Sequence, residues 1–221
     1  MEKQRNRTVM EKVDYETVIY SELRDYLNSN KILKLNEVIP FLTGRIARSS
    51  LNLNKVGITK ILKSFIDRNI IVEGSKLTRE DVLTNPKRRI IYEFINQNPG
   101  TYYYQIIKEL EMGSHLVIWH VEILLEFNFI NMIEEDNHEL YFNHKTKPDM
   151  AKLIYYRTNE KSKKILAYLK SNNTGVTKTE ISKNLDMHPT TVKKYIEILK
   201  KHQLIHSLKD KYKTLYLLDE L

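Results

Sequence analysis

The chain has 221 residues, of which 36 are lysine or arginine and 28 aspartate or glutamate, for a formal charge of +8. With 41% apolar and 10% aromatic residues it can build packed cores rather than stay disordered, and its length suits one large domain or two to three small ones. The lack of cysteine excludes disulfides, thiolate metal sites and a cysteine nucleophile, and no stretch approaches the ~18 uninterrupted apolar residues of a membrane span.

The opening MEKQRNRTVM carries charges where a signal peptide needs its apolar core, so a soluble cytoplasmic protein is expected, with polyanionic partners for its excess of cations. Six glycines and five prolines point to a mainly helical chain. Residues 1–13, with Lys3, Arg5 and Arg7, read as a basic leader, disordered or else a groove-tracking arm.

Residues 14–84 form the first unit. DYETVIYSELRDYLNSN predicts a helix with Val18, Leu23 and Leu27 apolar. KLNEVIPFLTGRIARSS predicts a second, broken or kinked at Pro40, because an interior proline costs ~3 kcal/mol. VGITKILKSFIDRNII follows, with Ile58, Leu62, Phe65 and Ile71 as its apolar positions, and NIIVEGSKLT reads as a short hairpin turning at Glu73-Gly74-Ser75. Asn85 as cap and Pro86 at the first helical position then open the second unit, residues 85–146, without a flexible linker.

Lys145 to Asp149 reads as a joint, and MAKLIYYR as a connecting helix within residues 147–157. The last unit, 158–221, begins with KSKKILAYLKSNN, a helix with Ile165, Leu166 and Leu169 apolar that stops at Asn173-Thr174-Gly175. Thr177 and Glu180 form a capping box for a short helix through Leu185. After the turn Asp186-Met187-His188, Pro189 starts a helix with Val192, Ile196 and Leu199 on its buried face. LIHSL and KTLYLL then make a hairpin across Lys209-Asp210-Lys211.

These units are copies of one another. Residues 90–130 align without a gap on residues 165–205, an offset of 75, and twelve of the 41 positions are identical, among them Gly100/Gly175, Ile106/Ile181, Met112/Met187, Val117/Val192 and Leu124/Leu199. A weaker third copy places 56–71 on 190–205. Self-similarity at a fixed spacing marks one supersecondary unit used again.

Helix, short helix, tight turn, helix and hairpin is the order of a winged helix-turn-helix. TKTEISKNLDMHPTTVKKYIEILKKHQLI and YYYQIIKELEMGSHLVIWHVEILLEFNFI resemble the ArsR-type and MarR-type regulators common in archaea: a capped helix, a Leu-x-Met turn, a recognition helix and a closing Leu/Phe-Ile. The resemblance covers 85–220 well and 14–77 more loosely. It implies a tandem array of winged helices, mainly α with small β-hairpin wings, and double-stranded DNA as partner.

A helix in the major groove must present groups that bond base edges or phosphates. In the last unit these are Thr190, Thr191, Lys193 and Lys194, with Lys209, Lys211, Tyr212 and Lys213 at the wing. In the first they are Lys55, Thr59, Lys60 and Lys63, with Arg45 and Arg48 just before. The middle unit differs: His115, Leu116, Ile118, Trp119 and Glu122 take the recognition positions, and its wing carries Glu134, Glu135, Asp136, His138 and Glu139. Residues 85–146 hold 5 basic against 9 acidic residues, a net −4, while 1–84 are +4 and 147–221 are +8. An acidic wing beside apolar Leu116, Ile118 and Trp119 suits a protein partner, either a neighbouring copy in the chain or its counterpart in a dimer.

His120 aligns with Tyr195 and reads as a core residue. His115, His138 and His144 lack the spacing of a helical zinc site, so neither metal nor cofactor is expected. Tyr102-Tyr103-Tyr104 reads as packing between units more than as base stacking. No nucleophile elbow, phosphate loop or His-Glu-x-x-His suggests an enzyme. The expected function is a DNA-binding transcriptional regulator. The alternative is an interaction scaffold, since tandem winged helices also resemble subunits of endosomal-sorting complexes and RNA-polymerase accessory factors.

Overall fold

The computed structural model describes residues 14–29, 31–49 and 51–219; the expectation for the leader falls outside them. The described residues are mainly helical, with two two-stranded antiparallel hairpins. They divide into two compact units, one made of residues up to 90 with 119–129, the other of 91–118 with 130 onward.

The first unit contains α1 (Tyr15–Asn28), α2 (Leu35–Ile46), α3 (Lys55–Asp67) and α4 (Arg79–Val82). Its core is built from residues one helical turn apart: Ile19, Leu23 and Leu27 on α1, Val38, Leu42 and Ile46 on α2, Ile58, Leu62 and Phe65 on α3. Asp14 caps α1 by accepting from the Glu16 N–H, and Asn54 caps α3 by accepting from Gly57. Arg24 on α1 donates to Thr78 and Asp81, fixing the capping box of α4 to the bundle.

Two expectations for this unit are corrected. Helix α2 is not broken at Pro40; it runs continuously from Leu35 to Ile46. The proline stands in the second turn and lacks the N–H of an ordinary helical residue, while Val38 and Leu42 on either side of it pack into the core and hold the helix together. Residues 70–79 form no two-stranded ladder, only an isolated bridge between Ile71 and Thr78. Here the Gly74 N–H (φ +88°) donates to the Leu33 carbonyl and the Leu33 N–H to Ser75, so the turn is pinned to the loop before α2. Thr78 is already the cap of α4, leaving no length for strands.

The repeat offset of 75 seen in the sequence is kept element by element. α6 (Tyr103–Leu110) matches α10 (Lys178–Asn184) to within one residue. α7 (Ser114–Glu126) matches α11 (Pro189–Lys201), β1 (Ile130–Glu135) matches β3 (Ile205–Asp210), and β2 (His138–Asn143) matches β4 (Lys213–Leu218), each without a residue of slip. The first helices, α5 (Pro86–Gln97) and α9 (Glu160–Lys170), correspond more loosely. In both copies the residue after a left-handed glycine, Gly100 or Gly175, opens a bridge to the second hairpin strand, Thr101 to Tyr141 and Val176 to Tyr216. Asn85 caps α5 by accepting from Arg88, as its place before Pro86 predicts.

In the second unit one apolar cluster runs from Leu140 and Phe142 of β2 through Ala151, Tyr155 and Tyr156 of α8 (Pro148–Thr158) to Ile165, Ile181, Val192, Ile196, Leu199 and Tyr216. α8 covers most of the residues expected as a connecting helix, and it contributes buried tyrosines to this core. The β3–β4 turn lies one residue later than the sequence suggests: the ladder continues through Asp210 paired with Lys213, leaving Lys211 and Tyr212 as the loop.

Candidate nucleic-acid interface

Helix α11 owes its position to three local features. The Thr177–Glu180 capping box starts α10, with the Thr177 N–H donating to Glu180 at 2.7 Å and holding that carboxyl below its ordinary range. Asp186 then takes the left-handed conformation (φ 50°), and the Met187 N–H donates back to Ser182. His188 caps α11, and Pro189 supplies its first residue without wasting a donor. Burying Val192, Tyr195, Ile196 and Leu199 turns the remaining positions outward.

On that outward side Thr190, Lys193 and Lys194 are exposed and Thr191 is half-buried. Thr190, Lys193, Lys194, Glu197, Ile198 and Lys201 line a shallow groove of about 350 Å³ along the helix. Lys201 escaped the sequence reading although it follows Lys194 by two helical turns, the i+7 spacing that would have found it. Lys209 lies on β3, Lys211 in the turn and Lys213 at the start of β4. All three are exposed, and Tyr212 between them is fully so.

Lys194 is nevertheless engaged. Its Nζ lies 2.5 Å from Asp136 Oδ1, and the Tyr195 hydroxyl donates to Asp136 Oδ2 at 3.4 Å. Burial, and then the Asp136 charge, pushes the Tyr195 hydroxyl up to about 12. The neighbouring Glu135 accepts from Lys152 at 2.7 Å and from Tyr156 at 2.5 Å. Burial raises the Glu135 carboxyl, but these bonds and the charges of Lys152 and Lys201 outweigh it and hold the group below its ordinary range.

In the first unit Lys55, Lys60 and Lys63 are exposed on α3, and the half-buried Thr59 hydroxyl donates to the Lys55 carbonyl. Arg45 near the end of α2 is salt-bridged to Glu22 at 2.6 Å and Asp25 at 3.4 Å, while Arg48 is exposed just past that helix. The equivalent helix α7 carries half-buried Leu116 with Ile118 at 38% and Trp119 at 53% exposure, an apolar face in place of lysines. His120 is buried, as its alignment with Tyr195 suggests, and the Arg88 Nε donates to its Nδ1 at 3.4 Å. Among the described residues no group of three histidine or carboxylate side chains is placed to hold a metal ion, and no helix is long and apolar enough to cross a membrane.

Residues 161–211, which contain most of α9, all of α10 and α11, and β3, match the model of a helix-turn-helix (HTH) domain family. This segment is similar to the helix-turn-helix domains of that family. Over 145 residues the chain is 30% identical to a Methanocaldococcus jannaschii protein described as an uncharacterized HTH-type transcriptional regulator. That match takes in 65% of this chain and 36% of the relative, so the chain spans about a third of that protein's length. A solved structure of a Corynebacterium diphtheriae protein is similar over 63% of this chain and 27% of its own, at 11% identity and a TM-score of 0.25. Within the matched residues α10 is followed by α11, which carries Thr190, Thr191, Lys193 and Lys194.

Proposed function

We propose that the chain is a DNA-binding transcriptional regulator built from three winged-helix modules, residues 14–84, 85–146 and 158–221, with 147–157 as connector. The observation that carries this reading is α11: the second helix of a helix-turn-helix domain, its core face buried and its outer face cationic. The M. jannaschii relative supports it. Thr190, Thr191 and Lys193 would stand near base edges in the major groove, while Lys194 and the wing residues Lys209, Lys211 and Lys213 hold flanking phosphates. In the first module Lys55, Thr59, Lys60, Lys63, Arg45 and Arg48 form the second DNA-contacting set. The middle module, with Leu116, Ile118 and Trp119 outward, assembles with protein, a second copy of the chain or another partner.

The test is duplex binding at two salt concentrations. A regulator of this kind loses affinity steeply as salt rises, by a slope of about 0.9 per phosphate neutralised. Lys209→Ala, which removes a phosphate-facing wing lysine, is expected to weaken binding to all sequences and lower that slope by about one. A salt-independent, weak interaction that Lys209→Ala leaves unchanged would rule the reading out.

A further inference from the structure

We infer that the acidic turn of the β1–β2 hairpin is a built-in phosphate mimic that occupies the DNA-facing side of α11 and must be displaced before Lys194 and Thr191 can reach a duplex. The inference rests on the regulator reading above and adds a control element to it.

Three observations converge on this turn. Its tip, Asp136-Asn137, has both residues at positive φ (52° and 61°), the geometry of a tight two-residue hairpin, which projects the Asp136 carboxylate beyond the strands. That carboxylate is not a solvated surface charge: its side chain is only 13% exposed, against 52% for Lys194, and it receives both the Lys194 ammonium and the Tyr195 hydroxyl. A carboxylate withdrawn from water this far is favoured by the cation it meets, whereas the half-exposed Lys194 keeps hydration of its own and can exchange one anionic partner for another. Glu135 beside it is anchored in turn to Lys152 and Tyr156 of α8, so the acidic tip is held at two points.

The same place in the other repeat shows what has been exchanged. The turn equivalent to Asp136-Asn137 is Lys211-Tyr212, cationic and exposed. One hairpin thus offers a cation outward where its copy offers an anion to a helix that bears lysines. An anionic oxygen 2.5 Å from Lys194 is what a DNA phosphate would supply. Beside this pair lies a cleft of about 790 Å³ with Asp136 and His138 among its walls together with Thr191, Lys194 and Tyr195. Thr191, assigned to base edges, therefore opens into a cleft partly walled by the hairpin tip. The duplex and the hairpin compete for one cation and one face.

The experiment uses the full chain and three variants, Asp136→Asn, Glu134→Gln and Lys194→Met. Affinity for a generic duplex is measured beside the acylation rate of Lys194, followed by mass spectrometry. Glu134 is exposed on the same hairpin, so Glu134→Gln removes an equal charge without touching the latch. Competition predicts that Asp136→Asn tightens duplex binding by about three- to tenfold, clearly more than Glu134→Gln, and speeds acylation of Lys194. In a Lys194→Met background Asp136→Asn should then add no more than Glu134→Gln does. Equal tightening by Asp136→Asn and Glu134→Gln would reduce the effect to net charge and overturn the proposal. So would faster acylation of Lys194 in Asp136→Asn with no gain in DNA affinity. If no variant binds duplex, the regulator reading falls and competition falls with it, while the acylation contrast still shows whether Asp136 clamps Lys194.

Discussion

At the residue scale the most informative group is one that touches no proposed ligand. Arg88 is buried to 2% exposure, donates to the Val82 carbonyl at 2.9 Å and to His120, and lies with its guanidinium 5.5 Å from the Trp119 ring centre. His120 must stay neutral to accept that bond: burial first, then the charges of Arg88 and Lys87, push its imidazole below 6.5. Between the depressed value and 6.5 the unfolded chain holds a proton that the fold rejects, so stability falls as pH drops through this window and is fully present above it. Thermal melts at pH 7.5 and 5.5 should show a lower midpoint at the acidic end, and His120→Gln should flatten that difference; an unchanged slope would remove His120 as its source. Arg88→Leu should cost about 1–3 kcal/mol at pH 7.5, because it strands the Val82 carbonyl and the His120 nitrogen together. Periodicity placed His120 on the inner face correctly, through its alignment with Tyr195. Arg88 gave no such signal, since the run Lys87-Arg88-Arg89 in PKRRIIYEF reads as surface cations.

At the scale of elements, the helices were legible because apolar residues recur at helical spacing and because Asp14, Asn54, Asn85, Thr177 and Pro189 are ordinary start signals. The stops were not. Asn69, Glu111, Asn128, Asp186 and Gln203 all stand in the left-handed conformation, and after each the next N–H reaches back five residues: Ile70 to Phe65, Met112 to Ile107, Phe129 to Leu124, Met187 to Ser182, Leu204 to Leu199. This is the glycine-type helix end made five times without glycine, so a search for glycine stops misses it. A side chain in that conformation carries a cost of about 1 kcal/mol. At the exposed Gln203, glycine should therefore raise stability by about 0.5–1 kcal/mol, a gain of a few degrees in melting midpoint, whereas Gln203→Ala should gain nothing. The converse holds at Gly175, where φ is +86° and an added Cβ would stand 3.0 Å from that of Leu215: Gly175→Ala should lower the midpoint. The hairpin expected at Glu73-Gly74-Ser75 failed for a related reason, because the partners of that turn lie at Leu33, which no local pattern reveals.

At the scale of the whole molecule the charge is distributed as +4, −4 and +8 over residues 1–84, 85–146 and 147–221, and this was readable before any fold was known. What could not be read is that the acidic segment spends Glu135 and Asp136 on Lys152 and Lys194, since residues so distant in sequence meet only through the fold. The same distribution raises the question of whether both cationic ends grip one duplex, and salt dependence can answer it. Each phosphate contact contributes about 0.9 to the slope of log affinity against log salt. Lys60 and Lys63 on α3 and Lys209 on β3 are exposed, so replacing them by alanine should leave each fold intact. If both ends bind together, Lys60→Ala with Lys63→Ala lowers the slope by about two, Lys209→Ala by about one, and the triple variant by the sum, because well-separated contacts add. If only the segment carrying α11 and its wing binds, the α3 pair leaves the slope at its wild-type value while Lys209→Ala still reduces it. A slope insensitive to all three would mean that neither end meets phosphate, and the cations at both ends would then be no more than a solvated surface.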